Sequence, residues 1–229
     1  MAFYCKPSGG YGILTPEGTN NVIEYDAYME NYTTQNNVVG QLCNIVEESG
    51  LNPWRWQDDT FDLSMGYGLY QFTPASGYIN LSGIPGHSPN MSTTQILGGD
   101  PTDANGQMYV FANNTLSKWV SRCWRKYWNV DNTWEGAPLY PALWVIRNRI
   151  VNTYGDGSSL SMAQFFSIDN YQDACFAFLA CFEGPQVPNL DQRLSHANDI
   201  YTALGGVVPG GVDPKKVILM KKYKREELY

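Results

Sequence analysis

The chain has 229 residues, a formal net charge of −7 and a sequence pI near 4.8, which excludes the basic face that a nucleic-acid binder needs. Hydrophobic residues make up 43% and charged residues 16%, a balance that supports a packed core and excludes a mainly disordered chain. The composition includes 7 Trp and 16 Tyr; aromatic side chains at that density fill a core or line a carbohydrate cleft.

The charge is unevenly placed. Residues 215–229 carry +4, so residues 1–214 carry −11. Cys5, Cys43, Cys123, Cys175 and Cys181 are odd in number and form no C-x-x-C pair, so buried free thiols are expected rather than a disulfide framework. With only His87 and His196 available, neither a metal site nor a cofactor is expected. The N-terminal MAFYCKPSGG has no apolar h-region, so no signal peptide is expected. The longest apolar run, 174–182, is far shorter than the ~20 residues of a membrane helix. No membrane partner is expected.

In chain order, residues 1–18 are rich in Gly, Pro and Tyr and read as an irregular lead-in. Thr19, Asn20 and Asn21 supply capping side chains for a helix over 22–32. A second helix is predicted over 35–48, with Val38, Val39, Leu42, Cys43, Ile45 and Val46 as its apolar set and Ser49-Gly50 as its stop. The aromatic, Gly-rich stretch that follows reads as a loop or small β-ribbon leading into a short helix at 74–78. Residues 84–106 read as loop. Further helices are predicted over 107–127 with a break near Asn113-Asn114, then 141–154, 161–168, 170–182 and 190–204. Residues 205–214 read as a Gly/Pro linker before a basic arm at 215–229.

The chemistry concentrates in Glu47-Glu48-Ser49-Gly50-Leu51-Asn52-Pro53 and Gly66-Tyr67-Gly68-Leu69-Tyr70-Gln71-Phe72-Thr73-Pro74. A carboxylate at a helix C-terminus opposes the macrodipole. Two in succession there serve stability poorly, and a carboxyl held against an aromatic wall is suited to act as a general acid. Periodicity leaves Glu47 and Glu48 tied, because they lie on opposite flanks of the apolar face.

The paired motif resembles the lysozyme-like superfamily, and most of all the phage tail lysozymes, the muramidase domains carried at phage tail tips. Soluble lytic transglycosylases and goose-type lysozymes show a similar arrangement. Upstream, Asn36-Asn37-Val38-Val39-Gly40-Gln41-Leu42 is similar to the family's helix; downstream, Phe182-Glu183-Gly184-Pro185, Arg193 and Ala197 are similar to its closing segment. The resemblance covers about residues 20–205. It implies a mostly α, lysozyme-like α+β fold, with a small β or loop element after the catalytic helix and a muramidase domain over 19–204. It breaks the tie in favour of Glu48, the glutamate before Ser, as the acid that protonates the bond between N-acetylmuramic acid and N-acetylglucosamine.

For a second carboxylate, Asp58, Asp59 and Asp62 lie between the motifs; Asp62 is preferred because Phe61 and Leu63 are placed to anchor it. Some branches of the superfamily use a single glutamate. Gln71 and Tyr67 are the expected sugar contacts, with Tyr70 and Trp56 expected to stack on sugar rings or pack in the core, as is Trp54. Glu183 is either a second cleft acid or a helix-end partner for Arg193, and the second reading is favoured. Trp119, Trp124, Trp128 and Trp134, with Arg122, Arg125 and Lys126, form an aromatic-basic stretch that reads as an amphipathic helix rather than a glycan contact.

The implied function is cleavage of peptidoglycan glycan strands by an enzyme held in the virion tail. It opens the host wall during genome entry, and the basic arm 215–229 docks onto other tail proteins. An endolysin that releases progeny and a non-catalytic, glycan-binding or structural tail protein on a lysozyme fold are the competing expectations, and a lytic transglycosylase reaction stays open beside hydrolysis.

Overall fold

The computed structural model describes residues 2–87, 103–120, 141–185 and 187–206. The linker beyond residue 206, the arm 215–229 and the stretch containing Arg122, Trp124, Arg125, Lys126, Trp128 and Trp134 lie outside the described residues.

Helix α1 spans Pro16–Met29 and begins earlier than the sequence signals suggested. Thr15, not Thr19–Asn21, is its N-cap, accepting from the Gly18 N–H at 3.1 Å, and Pro16 at the first helical position suits that start. Asn21 is instead buried and ties the lead-in to Leu51, donating to the carbonyls of Tyr4 at 2.9 Å and Leu51 at 2.8 Å.

Helix α2, Gln35–Ser49, runs through the middle of the molecule. It ends at Gly50, whose φ of 57° is the left-handed conformation that glycine adopts without strain. Short helix α3 is Ala75–Ile79 and α4 is Asp103–Ala112. Helix α5 is Pro141–Thr153, α6 is Met162–Phe166 and α7 is Tyr171–Phe178, continued by a π-helical turn over Leu179–Glu183. The expected closing helix is two pieces, α8 (Leu190–Ser195) and α9 (Ala197–Ala203). Among the described residues, no helix is long and apolar enough to cross a membrane.

Helix α2 is buried on every face from Asn37 to Ile45. Its closest neighbour is α7. A Cβ on Gly40 would lie 2.6 Å from both the Cys175 nitrogen and the Tyr171 carbonyl oxygen, so only glycine permits this approach. Three polar residues sit at i, i+4 and i+7 in α2, and each is satisfied. Asn37 donates to the Phe165 carbonyl at 2.7 Å, Gln41 to Asn37 Oδ1 at 2.7 Å, and Asn44 to the Cys175 carbonyl at 3.0 Å. Buried amides that find partners fix helix register as well as position.

The expected α+β class, with a small β or loop element after the catalytic helix, is corrected: the described residues are essentially all α. They contain no strand, and the only pairing recorded in the stretch after α2 is an isolated bridge between Trp56 and Tyr67. Positive φ at Leu51, Asp58, Asp59, Gly68 and Gln71 breaks the extended conformation a ribbon needs. Side chains then serve the backbone in place of a strand partner. Gln57 Oε1 accepts from Gly66 N at 3.0 Å, and Gln107 Oε1 accepts from Leu69 N at 2.7 Å.

Gln107 also donates to the Pro53 carbonyl at 2.7 Å and to Asp103 Oδ2 at 2.9 Å. Asp103 accepts from the hydroxyls of Tyr67 at 3.1 Å and Tyr78 at 2.7 Å, and pairs with His87 Nδ1 at 2.9 Å. This buried cluster pins the aromatic segment 53–78 onto α4 and thereby positions the cleft.

Candidate active site

The end of α2 sends its two glutamates to different places. Glu47 is held at the α8–α9 junction, accepting from Gln192 Nε2 at 2.8 Å and pairing closely with His196 Nε2. Glu48 lines a cavity of about 330 Å³ together with Arg55, Gln57, Asp58, Gln71, Thr73 and Glu183. The two residues are about 100° apart around the helix, which suffices to send one to the α8–α9 junction and the other to the cleft.

Behind the Glu48 carboxyl stands Arg193, whose Nη2 donates to Glu48 Oε1 at 2.7 Å. A second cavity of about 250 Å³ is lined by Tyr70, Gln71, Phe72, Thr73, Lys118, Phe182 and Glu183. Gln71, Thr73 and Glu183 border both cavities, so the two adjoin as lobes of one cleft. Among the described residues no group of three or more His, Cys, Asp or Glu is placed to hold a metal ion.

The phage tail lysozyme family matches residues 19–204, a stretch that contains every residue lining the cleft. The chain belongs to this family. It is also similar to Morphogenesis protein 1 of Bacillus phage B103, being 26% identical over 181 residues that cover 78% of this chain and 37% of that protein. The chain thus spans well under half the length of that relative. Family membership supports a general muramidase or glycan-hydrolase role in the setting of a phage tail.

The remaining site candidates divide in two. Gln71 borders both lobes, with φ 44° and its Nε2 donating to the Gly68 carbonyl at 2.9 Å. Tyr70 borders the second lobe, but it is buried and its hydroxyl pairs with that of Tyr25 at 2.9 Å. Burial pushes both phenols well above their ordinary value, so they remain neutral hydrogen-bonding groups.

Tyr67 and Trp56 line neither lobe. Both are buried, and their rings pack against each other at 4.7 Å, because the segment needs an apolar floor of its own. Trp119 is also core, donating from Nε1 to the Leu160 carbonyl at 2.8 Å.

Asp62 is not among the residues that line the Glu48 cavity. It is fully exposed and accepts from Ser64 Oγ at 2.7 Å and Ser64 N at 2.8 Å, bonds that hold its carboxyl below the usual carboxylate range. Phe61 and Leu63, expected to anchor it, are themselves 39% and 43% exposed. Asp59 caps the Gly9 N–H at 2.8 Å and pairs with Arg55 at 3.0 Å. Of the three aspartates, Asp58 is the one on the cavity.

Glu183 borders both lobes. Arg193 donates to Pro188, Asn44 and Glu48. The sequence paired Arg193 with Glu183 because the two are close in the chain; contact with Glu48 arises only when α8 packs against α2.

Proposed function

We propose that the protein is a peptidoglycan hydrolase that cleaves the strand between N-acetylmuramic acid and N-acetylglucosamine, with Glu48 as general acid. The observation that carries this reading is the position of Glu48. It lies on the wall of a cleft that also presents Gln71, Asp58 and Glu183, in a chain of the phage tail lysozyme family. Glu48 donates its proton to the glycosidic oxygen as the bond to the sugar C1 breaks. Asp58 and Glu183 are better placed than Asp62 to face the developing positive charge or to activate water. Gln71, at the junction of the lobes, is placed to hydrogen-bond acetamido groups.

Residues 19–204 form the muramidase domain in this reading, and residues 215–229 dock the enzyme in the tail, where it opens the host wall during genome entry. A chain ending at Asp213 is then expected to hydrolyse walls normally and to be lost from assembled particles.

The test of the activity is mass spectrometry of muropeptides released from purified walls by the wild-type chain and by Glu48→Gln. Glycan fragments from the wild type and none from the variant are expected. Equal release by both would overturn the role of Glu48, and no release by either would leave a non-catalytic tail protein.

A further inference from the structure

We infer that Arg193 is the positioning residue of this site. Its buried guanidinium fixes the Glu48 carboxyl at the cleft wall and stabilises the carboxylate that forms as Glu48 gives up its proton. This role rests on the muramidase reading above.

The geometry supports it at three points. First, Arg193 is braced at each of its three guanidinium nitrogens. Its Nε donates to the Pro188 carbonyl at 3.2 Å, Nη1 to Asn44 Oδ1 at 3.1 Å and Nη2 to Glu48 Oε1 at 2.7 Å. Second, the brace is rooted in the core. Asn44 is fully buried, and its own amide donates to the carbonyls of Gly40 and Cys175, each at 3.0 Å. Arg193 therefore takes its position from the α2–α7 packing and not from a bound substrate. Third, the pair is graded in exposure. The Arg193 side chain is 6% exposed and that of Glu48 is 23% exposed, so the acid faces the cleft and the cation stands behind it.

A guanidinium buried in this way is costly unless its N–H groups find acceptors, and Pro188, Asn44 and Glu48 supply them. The other charged groups around the Glu48 carboxyl do not duplicate Arg193. Asp58 and Glu183, which line the same cavity, are acids like Glu48 and supply no counter-charge. Arg55 is engaged with Asp59 at 3.0 Å. The neighbouring Glu47 pairs with His196. Near Arg193 on α2, the Cys43 thiol is pushed well above its ordinary value, first by its hydrogen bond with Cys175 and then by burial, and so remains neutral.

The chemical consequence concerns the transition state. As the C1–O bond breaks, its electron pair leaves with the departing sugar oxygen, and the Glu48 proton moves to that oxygen. Negative charge grows on Glu48 while the guanidinium is already oriented towards it, so no reorganisation is needed when the charge appears. Water then adds at C1, and the proton it releases restores Glu48.

The test uses the full chain with Arg193→Gln and Arg193→Lys. Wall hydrolysis is measured as kcat and KM, and thermal melting is recorded alongside. Arg193→Gln is expected to lower kcat by roughly 10²–10³-fold, the range for loss of one preorganised charge-stabilising group, with KM little changed. Arg193→Lys should restore part of the rate. A rate loss that follows the melting temperature in both variants, with no rescue by lysine, would show a purely structural role.

Should Arg193→Gln fail to fold, Asn44→Ala keeps the charge and loosens the brace. A lowered kcat at constant KM supports the inference, and wild-type kinetics overturns it. A wild-type chain that releases no glycan product sinks the muramidase reading itself, whereas an active wild type with insensitive variants sinks only the role of Arg193.

Discussion

Glu48 and Glu183 line the same cavity, one from the last turn of α2 and the other from the end of the π-helical turn that follows α7. Asp58 reaches this cavity from the intervening segment, through a left-handed residue with φ 55°. A second carboxylate is therefore to be sought at Asp58 and Glu183. Glu183→Gln or Asp58→Asn should reduce hydrolysis by about 10²–10⁴-fold if that residue supplies base or nucleophile chemistry. Asp62→Asn should leave the rate within about threefold, below the ~1 kcal/mol scale of one ordinary hydrogen bond. Wall-turbidity assays of the three variants rank them, and a silent Glu183 together with a silent Asp58 would indicate a single-glutamate mechanism.

Glu47 offers a control for Glu48. Its carboxylate is occupied by Gln192 and His196. Glu47→Gln should retain most hydrolytic activity and lose about 1 kcal/mol of stability, the scale of one hydrogen bond. A dead Glu47→Gln enzyme of normal stability would reverse the assignment.

Gln71→Ala should act on binding more than on chemistry. The residue borders both lobes, and loss of one substrate hydrogen bond corresponds to about 2–10-fold in KM. Steady-state kinetics on soluble glycan strands with unchanged KM would show that this segment does not contact the sugar.

The His87–Asp103 pair predicts a pH dependence of stability. Burial lowers the affinity of His87 for its second proton, but the hydrogen bond and charge of Asp103, with the carbonyls of Ile79 and Tyr78, outweigh it and hold the histidine above its ordinary value of 6.5. A group whose value is raised on folding contributes its full stabilisation below the unfolded value. That contribution is lost as pH climbs from there through the folded value. Denaturant melts should therefore show a loss of stability on the alkaline side of pH 6.5, and His87→Gln should flatten that dependence. An equal slope in both chains would place the dependence elsewhere.

Gly40→Ala should destabilise the fold by about 1–3 kcal/mol, the cost of overpacking a close helix approach. The added Cβ meets backbone of α7 that has no side-chain freedom to yield. Unfolding curves measure this directly, and a neutral result would mean that α2 and α7 are free to separate.

Much of the helical content was legible in local signals. The period of apolar residues across 35–48, Ser49-Gly50 as its stop, and the break at Asn113-Asn114 correspond to where α2 and α4 end. Those signals rest on interactions within a few residues, which a linear pattern records. The aromatic, Gly-rich stretch after α2 reads as a loop or small ribbon because its glycines and aromatics suit either equally well. Its actual shape is set by Gln107 and Asp103, which reach it from a helix distant in sequence.

For the site, the sequence by itself determined that a helix ends in two glutamates and runs into an aromatic loop. Resemblance, not periodicity, chose Glu48. Only the tertiary structure decided that Glu48 faces the cleft while Glu47 pairs with His196, that Asp58 rather than Asp62 shares its cavity, and that Trp56 and Tyr67 are floor rather than surface. The physical reason is the same in each case. A side chain's role here depends on which distant backbone packs against it. Arg193 meets Glu48 because α8 lies on α2, and no local spacing encodes that crossing.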